Sequence, residues 1–474
     1  MKNLIKILFV LSFLLPVCAQ GQAVTWSKWY DIAKADNAGE DVKQTFEGGY
    51  IILGNYYTSF NAYSFLIKTD YLGNIEWQKV IEDSVTYNDL LSCYAVHQTN
   101  DSGYTVSGYG RDSAVLLKTD KNGEVQWLKK YSASGLITKF NDHENTIDGG
   151  IIAGGRIFSL SIGKVYIVKT DSIGNLEWTS ILDVFDNESI NKIVESTDGS
   201  IYFTGLNRIT KLNSYGSHIW SRNILKIGSD LLELSSYTIL LAGSNPQMYL
   251  SKIDTSGHLL WQKSYFPGAT CNSMALSLDK NIILSGSKET FGIYNSAVTK
   301  TDTSGIQIFT KTILLASDNY FFLPRYISST SDYGFILTGI TDFPGPPFLD
   351  NLFTIKTDSS CNAPELISII NNNTFTPDKF ELYQNYPNPF NPKTNIQYEI
   401  FKPGNVNLSV YNINGEEIAT LINSDQAIGK YIVIFNADLY KISSGLYFIK
   451  MTIKNSSNLS SEKISKIIKI IYLK

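Results

Sequence analysis

Lys118-Thr119-Asp120-Lys121-Asn122-Gly123-Glu124-Val125-Gln126-Trp127 decides the fold, because its order of lysine, acid, glycine turn and indole returns along the chain. Lys68-Thr69-Asp70 leads to Gly73 and Trp77, and Lys169-Thr170-Asp171 to Gly174 and Trp178. Lys211-Leu212-Asn213 leads to Gly216 and Trp220, Lys252-Ile253-Asp254 to Gly257 and Trp261, and Lys300-Thr301-Asp302 to Gly305 and Phe309. Lys356-Thr357-Asp358 makes seven. A period of roughly 40 to 55 residues is that of radially repeated four-stranded units.

Working outward from one copy, Ile137 to Glu144 alternates as a strand and Asp148-Gly149-Gly150 turns. Ile151 to Ala153, Val165 to Lys169 and Leu176 to Ile181 supply three more strands, giving an antiparallel meander. The first turn recurs as Glu47-Gly48-Gly49, Asp101-Ser102-Gly103, Asp198-Gly199-Ser200, Asp279-Lys280-Asn281 and Asp332-Tyr333-Gly334; the fifth unit has Ser235-Ser236-Tyr237 instead. In each Asp-x-x-Gly turn the carboxylate can accept backbone N–H bonds while Gly supplies positive φ, so a hairpin explains these residues without calcium. Calcium would need six to eight oxygens, and His258 or Ile306 stands where Asn74 would offer one.

The tryptophans read as wedges between neighbouring sheets. The seventh unit has no tryptophan strand after Asp358, whereas Trp26-Ser27-Lys28-Trp29-Tyr30 stands alone near the start and matches Trp261 to Tyr265 and Trp127 to Tyr131. The expectation is all-β: a seven-bladed β-propeller over residues 24–360, closed by the N-terminal strand, followed by a small Ig-like β-sandwich. The Asp-x-x-Gly-x-x-x-Trp spacing resembles the tryptophan-docking repeats of pyrroloquinoline-quinone dehydrogenases and outer-membrane assembly propellers, and departs from the sialidase Asp-box. The Lys-Thr-Asp repeats resemble those of exported Bacteroidetes-type proteins. Those likenesses imply a fold and no chemistry.

The chain has 474 residues with 29 Tyr, 24 Phe and 34 Gly against 4 Met, a β-rich composition. Its formal charge of −4 becomes −6 without Lys2 and Lys6, which argues against nucleic-acid binding. Residues 1–19 carry two lysines, an apolar run from Ile7 to Val17 and a small-residue exit, the pattern of a cleavable secretory signal peptide; Cys18 as a lipoprotein cysteine is the weaker alternative after the large Val17. No later stretch has the roughly 20 apolar residues of a transmembrane segment. Cys93, Cys271 and Cys361 are an odd, scattered set, expected as buried thiols.

Residues 361–379 lose the repeat and read as a linker. Then Leu382-Tyr383-Gln384-Asn385-Tyr386-Pro387-Asn388-Pro389-Phe390-Asn391-Pro392 begins 380–474, a segment that closely resembles the type A C-terminal sorting domain of the type IX (Por) secretion system. Val406 to Tyr411, Asn414-Gly415-Glu416, Gly429-Lys430-Tyr431 and Ser443-Ser444-Gly445-Leu446-Tyr447 keep that family's order. The resemblance implies the type IX machinery as partner, a secreted or surface-attached destination, and a sorting signal that includes Tyr386 to Pro392, Gly445 and Tyr447.

No nucleophile elbow, zinc helix, phosphate loop or Cys-x-x-Cys occurs, so no cofactor and no metal centre is expected. His97 and His143 fall on inner strands of blades 2 and 3; polar channel lining is the simple expectation and a metal pair the sharper one. The connections between strands two and three, and from blade to blade, vary and emerge on one face, which marks the binding surface for a glycan or protein ligand. There stand Tyr56, Tyr57, Phe60, Tyr63, Tyr294, Phe343, Pro344, Pro346, Pro347 and Phe348. Arg111, Arg156, Arg208 and Lys288 follow their second strands at similar offsets, an expected cationic arc for an anionic ligand. The expected role is a binding or scaffold module. The alternative is a surface polysaccharide hydrolase or lyase using acids such as Asp112, Asp186 and Asp342.

Overall fold

The structure, a computed structural model, describes residues 24–30, 32, 36–57, 62–81, 91–133, 135–158, 163–183, 189–206, 208–224, 228–244, 246–290, 293–313, 322–342, 350–364, 380–400, 404–426, 429–454 and 463–474. The expected leader, most of the expected linker, Phe60, Asp186, Phe343, Pro344, Pro346, Pro347 and Phe348 lie outside these residues, as does the side chain of Asp342. The chain divides into two compact units, 1–370 and 371–474.

The first unit is a seven-bladed β-propeller: seven four-stranded antiparallel sheets, each ordered as its strands follow in sequence except the last. Blade 3, for example, runs Ile137–Asn145, Ile151–Phe158, Lys164–Thr170 and Leu176–Leu182. The first strands of neighbouring blades touch one another, so they line the central channel. In blade 7 the strands Phe322–Ser329, Phe335–Asp342 and Asp350–Thr357 are completed by Trp26–Tyr30. Trp26 pairs with Lys356 in the register in which Trp77 pairs with Lys68, Trp127 with Lys118 and Trp261 with Lys252. Both ends of the ring therefore share one sheet, in which Trp26–Tyr30 covers the edge of Asp350–Thr357.

Seven apolar clusters lie between blades, one per interface; Ile51, Leu53 and Leu66 of blade 1, for instance, pack with Leu91, Val96 and Val106 of blade 2. Each indole lies on the hairpin glycine of the next blade. A Cβ added at Gly73, Gly123, Gly174, Gly216 or Gly305 would stand 2.5–2.9 Å from ring atoms of Trp26, Trp77, Trp127, Trp178 or Trp261. The residue must lack a side chain there as well as adopt positive φ. Tyr30, Tyr131 and Tyr265, four residues after their tryptophans, donate to the carbonyls of Gly73, Gly174 and Gly305 at 2.7–2.9 Å.

The sixth interface exchanges both partners. Phe309 takes the indole position opposite Lys300, and Cys361, at φ 56°, takes the glycine position in the turn from Asp358 to Asn362. Both belong to one apolar cluster. Blade 7 thus extends past the expected end at 360, and Pro364 accepts a hydrogen bond from Ser27. The smaller ring leaves the volume that the thiol fills. Phe309→Trp is expected to destabilise by about 1–3 kcal/mol through overpacking, and the loss should vanish in a Cys361→Gly background. Urea midpoints at constant m-value would show this; additive effects would mean that the two positions do not share the space.

In four of the repeats the lysine has a structural reason of its own. Lys118 reaches back to Asp101 in its blade's first turn (2.9 and 2.8 Å) and to the Thr119 carbonyl. Lys169 binds Asp148, Lys356 binds Asp332 and Lys300 binds Asp279 in the same way, at 2.8–3.2 Å. These ammonium groups are nearly buried, which requires a paired carboxylate. The clasp also explains a turn glycine, since a Cβ at Gly150 or Gly334 would stand 2.6 Å from the lysine Nζ. Blade 1 has Glu47 in the turn, and Lys68 pairs instead with Glu76 at 2.9 Å. Asp70, Asp120 and Asp171 cap their own hairpins, accepting two backbone N–H bonds each at 2.7–3.0 Å.

The second unit is a two-sheet sandwich. Phe380–Leu382, Lys393–Ile400 and Gly429–Asn436 form one sheet, and Glu417–Gln426, Gly404–Tyr411, Gly445–Lys454 and Lys463–Tyr472 the other. Ile396, Tyr398, Val406, Leu408, Ile449 and Tyr472 meet in its core. The Tyr386 to Pro392 segment latches the last strand. Asn388 accepts from the Ile471 amide (2.8 Å) and donates to the Lys469 carbonyl, while buried Phe390 exchanges backbone bonds with Ile471 and Leu473. Pro387 O accepts from Asn385 and Thr394, and Pro392 O from the Ala437 amide. Tyr447 donates to Ser443 O at 2.8 Å, whereas Tyr386 projects outward, 80% exposed.

Candidate functional site

The channel is lined by the first strands, and most of these carry a bulge near the variable-loop end. Seven residues before each turn acid, or before Ser236 in blade 5, stand Glu40, Tyr94, Asn141, Asn191, Ser229, Asn272 and Arg325. This column builds a polar girdle from blade to blade. Asn141 donates to Ile190 O, Asn191 to Gly228 O, Ser229 to Cys271 O and Asn272 to Pro324 O, at 2.6–2.9 Å. Arg325 closes blade 7 onto blade 1 through both oxygens of Glu40, and Asn55 carries the belt on to Cys93 O at 3.0 Å.

At Tyr94 the girdle departs from this pattern. Its ring lies parallel to that of Tyr109, with centroids 6.3 Å apart and 1° between planes. Lys139 of blade 3 holds its ammonium 4.0 Å from the Tyr94 centroid and 5.3 Å from that of Tyr109. Arg156 sits opposite Lys139 in the sheet, its guanidinium 3.9 Å from the Phe158 ring. Burial first, and then the Arg156 charge, bring the Lys139 ammonium down to about 8; Arg325 acts in the same direction and Glu40 against it. Tyr57 stands at the same mouth, its phenol raised by burial and then by Glu40.

Of the expected arc, Arg156 joins this cluster. Arg111 occupies an exposed tip turn at φ 45°, Arg208 opens the third strand of blade 4, and Lys288 lies within a second strand, 4.6 Å from the Phe266 ring. Tyr56 and Tyr63 stack on each other at 4.9 Å, and Tyr294 is exposed. The sequence reading missed Tyr94, Tyr109, Lys139 and the Arg325–Glu40 pair. The fixed offset from the turn acid was the available signal.

Deeper in the channel His97 and His143 lie edge to face, 4.8 Å between centroids. Both nitrogens of His143 are engaged, by Ser107 Oγ (2.9 Å) and Thr105 Oγ1 (3.0 Å), which suits polar lining. Burial pushes His143 down to about 3 and His97 well below its usual value, with Lys43 and Lys192 adding to both. Those lysines pair with Asp41 and Asp142 at 3.0 and 3.1 Å. Among the described residues no group of three or more His, Cys, Asp or Glu side chains is placed to hold a metal ion. Cys93, Cys271 and Cys361 are free and buried. On the opposite, short-turn face a cavity of about 410 Å³ is lined by Lys43, Thr45, Phe46, Leu278 and Ser328 among others.

Residues 384–469 match the secretion system C-terminal sorting domain family. The C-terminal unit is accordingly a type IX sorting domain, its partner is the type IX machinery, and the destination is the cell surface or the extracellular space. No helix among the described residues is long and apolar enough to cross a membrane. No curated protein matches the chain. Among solved structures, BamB from Moraxella catarrhalis is 12% identical, with 70% of this chain and 98% of that one covered and a TM-score of 0.37. The extracellular domain of a putative hybrid two-component system from B. thetaiotaomicron is 12% identical (93% and 58% covered, TM-score 0.44). The Pan2 WD40 domain of Neurospora crassa is 10% identical (71% and 96%, TM-score 0.45).

Proposed function

We propose that the propeller delivered by this sorting domain is a binding or scaffold module that takes a glycan or protein ligand at the variable-loop mouth, between blades 2 and 3. The observation that supports it most is the changed use of one repeated position. Four column residues close the girdle onto a neighbour's carbonyl and two form an ion pair, whereas Tyr94 builds an aromatic platform with a cation over it. Aromatic rings and arginines at a concave surface are what ligand anchors are made of. Glu40 at that mouth is held by Arg325 through both carboxylate oxygens, which supports binding over a hydrolase or lyase that would use Glu40 as one of a carboxylate pair.

The test is a glycan and peptide array probed with the full chain. Tyr94→Ala and Tyr109→Ala should each weaken the captured ligand by about tenfold or more. Tyr237→Ala, on the opposite face and 75% exposed, should leave it unchanged. Binding that ignores both mouth variants would remove this reading, and release of new reducing ends from a bound polysaccharide would favour the enzyme.

A further inference from the structure

We infer that the ligand taken at this mouth is an acidic saccharide, with its carboxylate or sulfate at Lys139 and Arg156 and its ring on the Tyr94–Tyr109 platform. The inference rests on the preceding reading that this mouth is the binding face. Charge is its first support. Lys139, Arg156 and Arg325 converge against Glu40, and Arg325 engages both oxygens of Glu40. Lys139 makes no ion pair among the described residues. Its nearest described charged neighbour in the sheet is the like-charged Arg156, directly opposite. Like charges facing each other across two strands are destabilising, and an anion between them would remove that repulsion.

Shape is the second support. Two parallel phenol rings 6.3 Å apart, with a cation 4.0 Å from one of them, set apolar ring atoms beside a positive charge, a pairing suited to a pyranose that carries a negative group at its rim. A peptide would more readily use a groove or a sheet edge.

The groups facing the Lys139 ammonium are Arg156, Arg325, Glu40 and the rings of Tyr94 and Tyr109. With its titration near pH 8, an arriving anion stabilises the ammonium, so binding at that pH takes up part of a proton, whereas at pH 6 it takes up none.

The experiment is an NMR pH titration of the full chain with its lysines ¹³C-dimethylated, the Lys139 resonance being assigned by its loss in Lys139→Gln. D-glucuronate, N-acetylglutamate and D-glucose are compared in chloride buffers of equal ionic strength. The expected result is an upward move of the Lys139 titration by about 0.5 to 1 pH unit with glucuronate and none with glucose, with a several-fold weaker response in Arg156→Gln. A resonance that glucuronate leaves unmoved, or that N-acetylglutamate moves equally, overturns the inference. If the array yields a Tyr94-dependent neutral ligand while glucuronate does nothing, the binding face stands and the acidic ligand falls. If it yields no Tyr94-dependent ligand, the binding face falls as well.

Discussion

Trp26→Ala is expected to lower the unfolding free energy of the propeller by about 3–5 kcal/mol, the sum of lost transfer energy and the cavity left behind. The indole is 7% exposed, packs edge-on to Tyr50 at 5.5 Å, covers Gly73 and donates Nε1–H to Tyr71 O at 3.1 Å. Those contacts belong to blade 1, while the backbone of the same strand pairs with blade 7. Truncation therefore loosens the strand that joins first to last. Once that strand frays, Asp350–Thr357 becomes an open edge. Trp26→Phe, which imitates the arrangement at Phe309, should lose less. Chemical denaturation with equal m-values would test both, and a loss below about 1 kcal/mol for the alanine variant would show that the closing strand carries no special share of stability.

The second large effect is acid destabilisation through His97 and His143. Their folded values lie below the usual 6.5, because burial first, and neighbouring positive charge next, disfavour the imidazolium. The unfolded chain then binds more protons than the folded one. The stability this represents is complete above about pH 6.5 and is lost as pH falls toward 3, by up to about 4 kcal/mol for His143. Glu144 opposes it in part. Burial raises its carboxyl to about 7, so its share is lost as pH rises from about 4.5 to 7.

Asp101, Asp148 and Asp279 belong to a lower window. Partial burial would raise them, yet hydrogen bonds to their lysines and to turn hydroxyls and amides bring them to about 2, so they act below about pH 4. Unfolding free energies at pH 7.5, 6 and 4.5 should decline for the natural chain, decline more steeply for Glu144→Gln, and rise toward acid for the double variant His97→Asn, His143→Asn, in which Glu144 is left unopposed. An unchanged slope in the double variant would assign the acid sensitivity elsewhere.

The propeller was legible because its contacts repeat. A tryptophan that must cover a glycine in the next blade recurs at fixed spacing, and an isolated Trp26 could be matched to the one unit without a partner strand. The substitution of both partners at Phe309 and Cys361 hid the last turn, since neither residue keeps the motif although the volume is conserved. The Lys118–Asp101 clasp was hidden differently: each half had a sufficient local explanation, a strand end and a capped turn.

The mouth was least legible. Tyr94, Lys139 and Arg325 come from three blades and meet only because the ring closes. The expected arc assumed that equal offsets after the second strands give equal positions. Those strands differ, from four residues at Ile201–Thr204 to nine at Ile282–Thr290, so the same count lands on a strand, a tip or the strand beyond.

The shared sheet of blade 7 also orders events in time. Trp26 is made more than three hundred residues before its partner Lys356, so the ring stays unbuckled until the strands of its last blade exist. The export label is synthesised later still, at 384–469. A chain terminated before its last blade is complete therefore also lacks the label, which makes the passport a certificate of a finished ring. At the other end, trimming that reached Trp26 would leave the label intact on a propeller that cannot fasten.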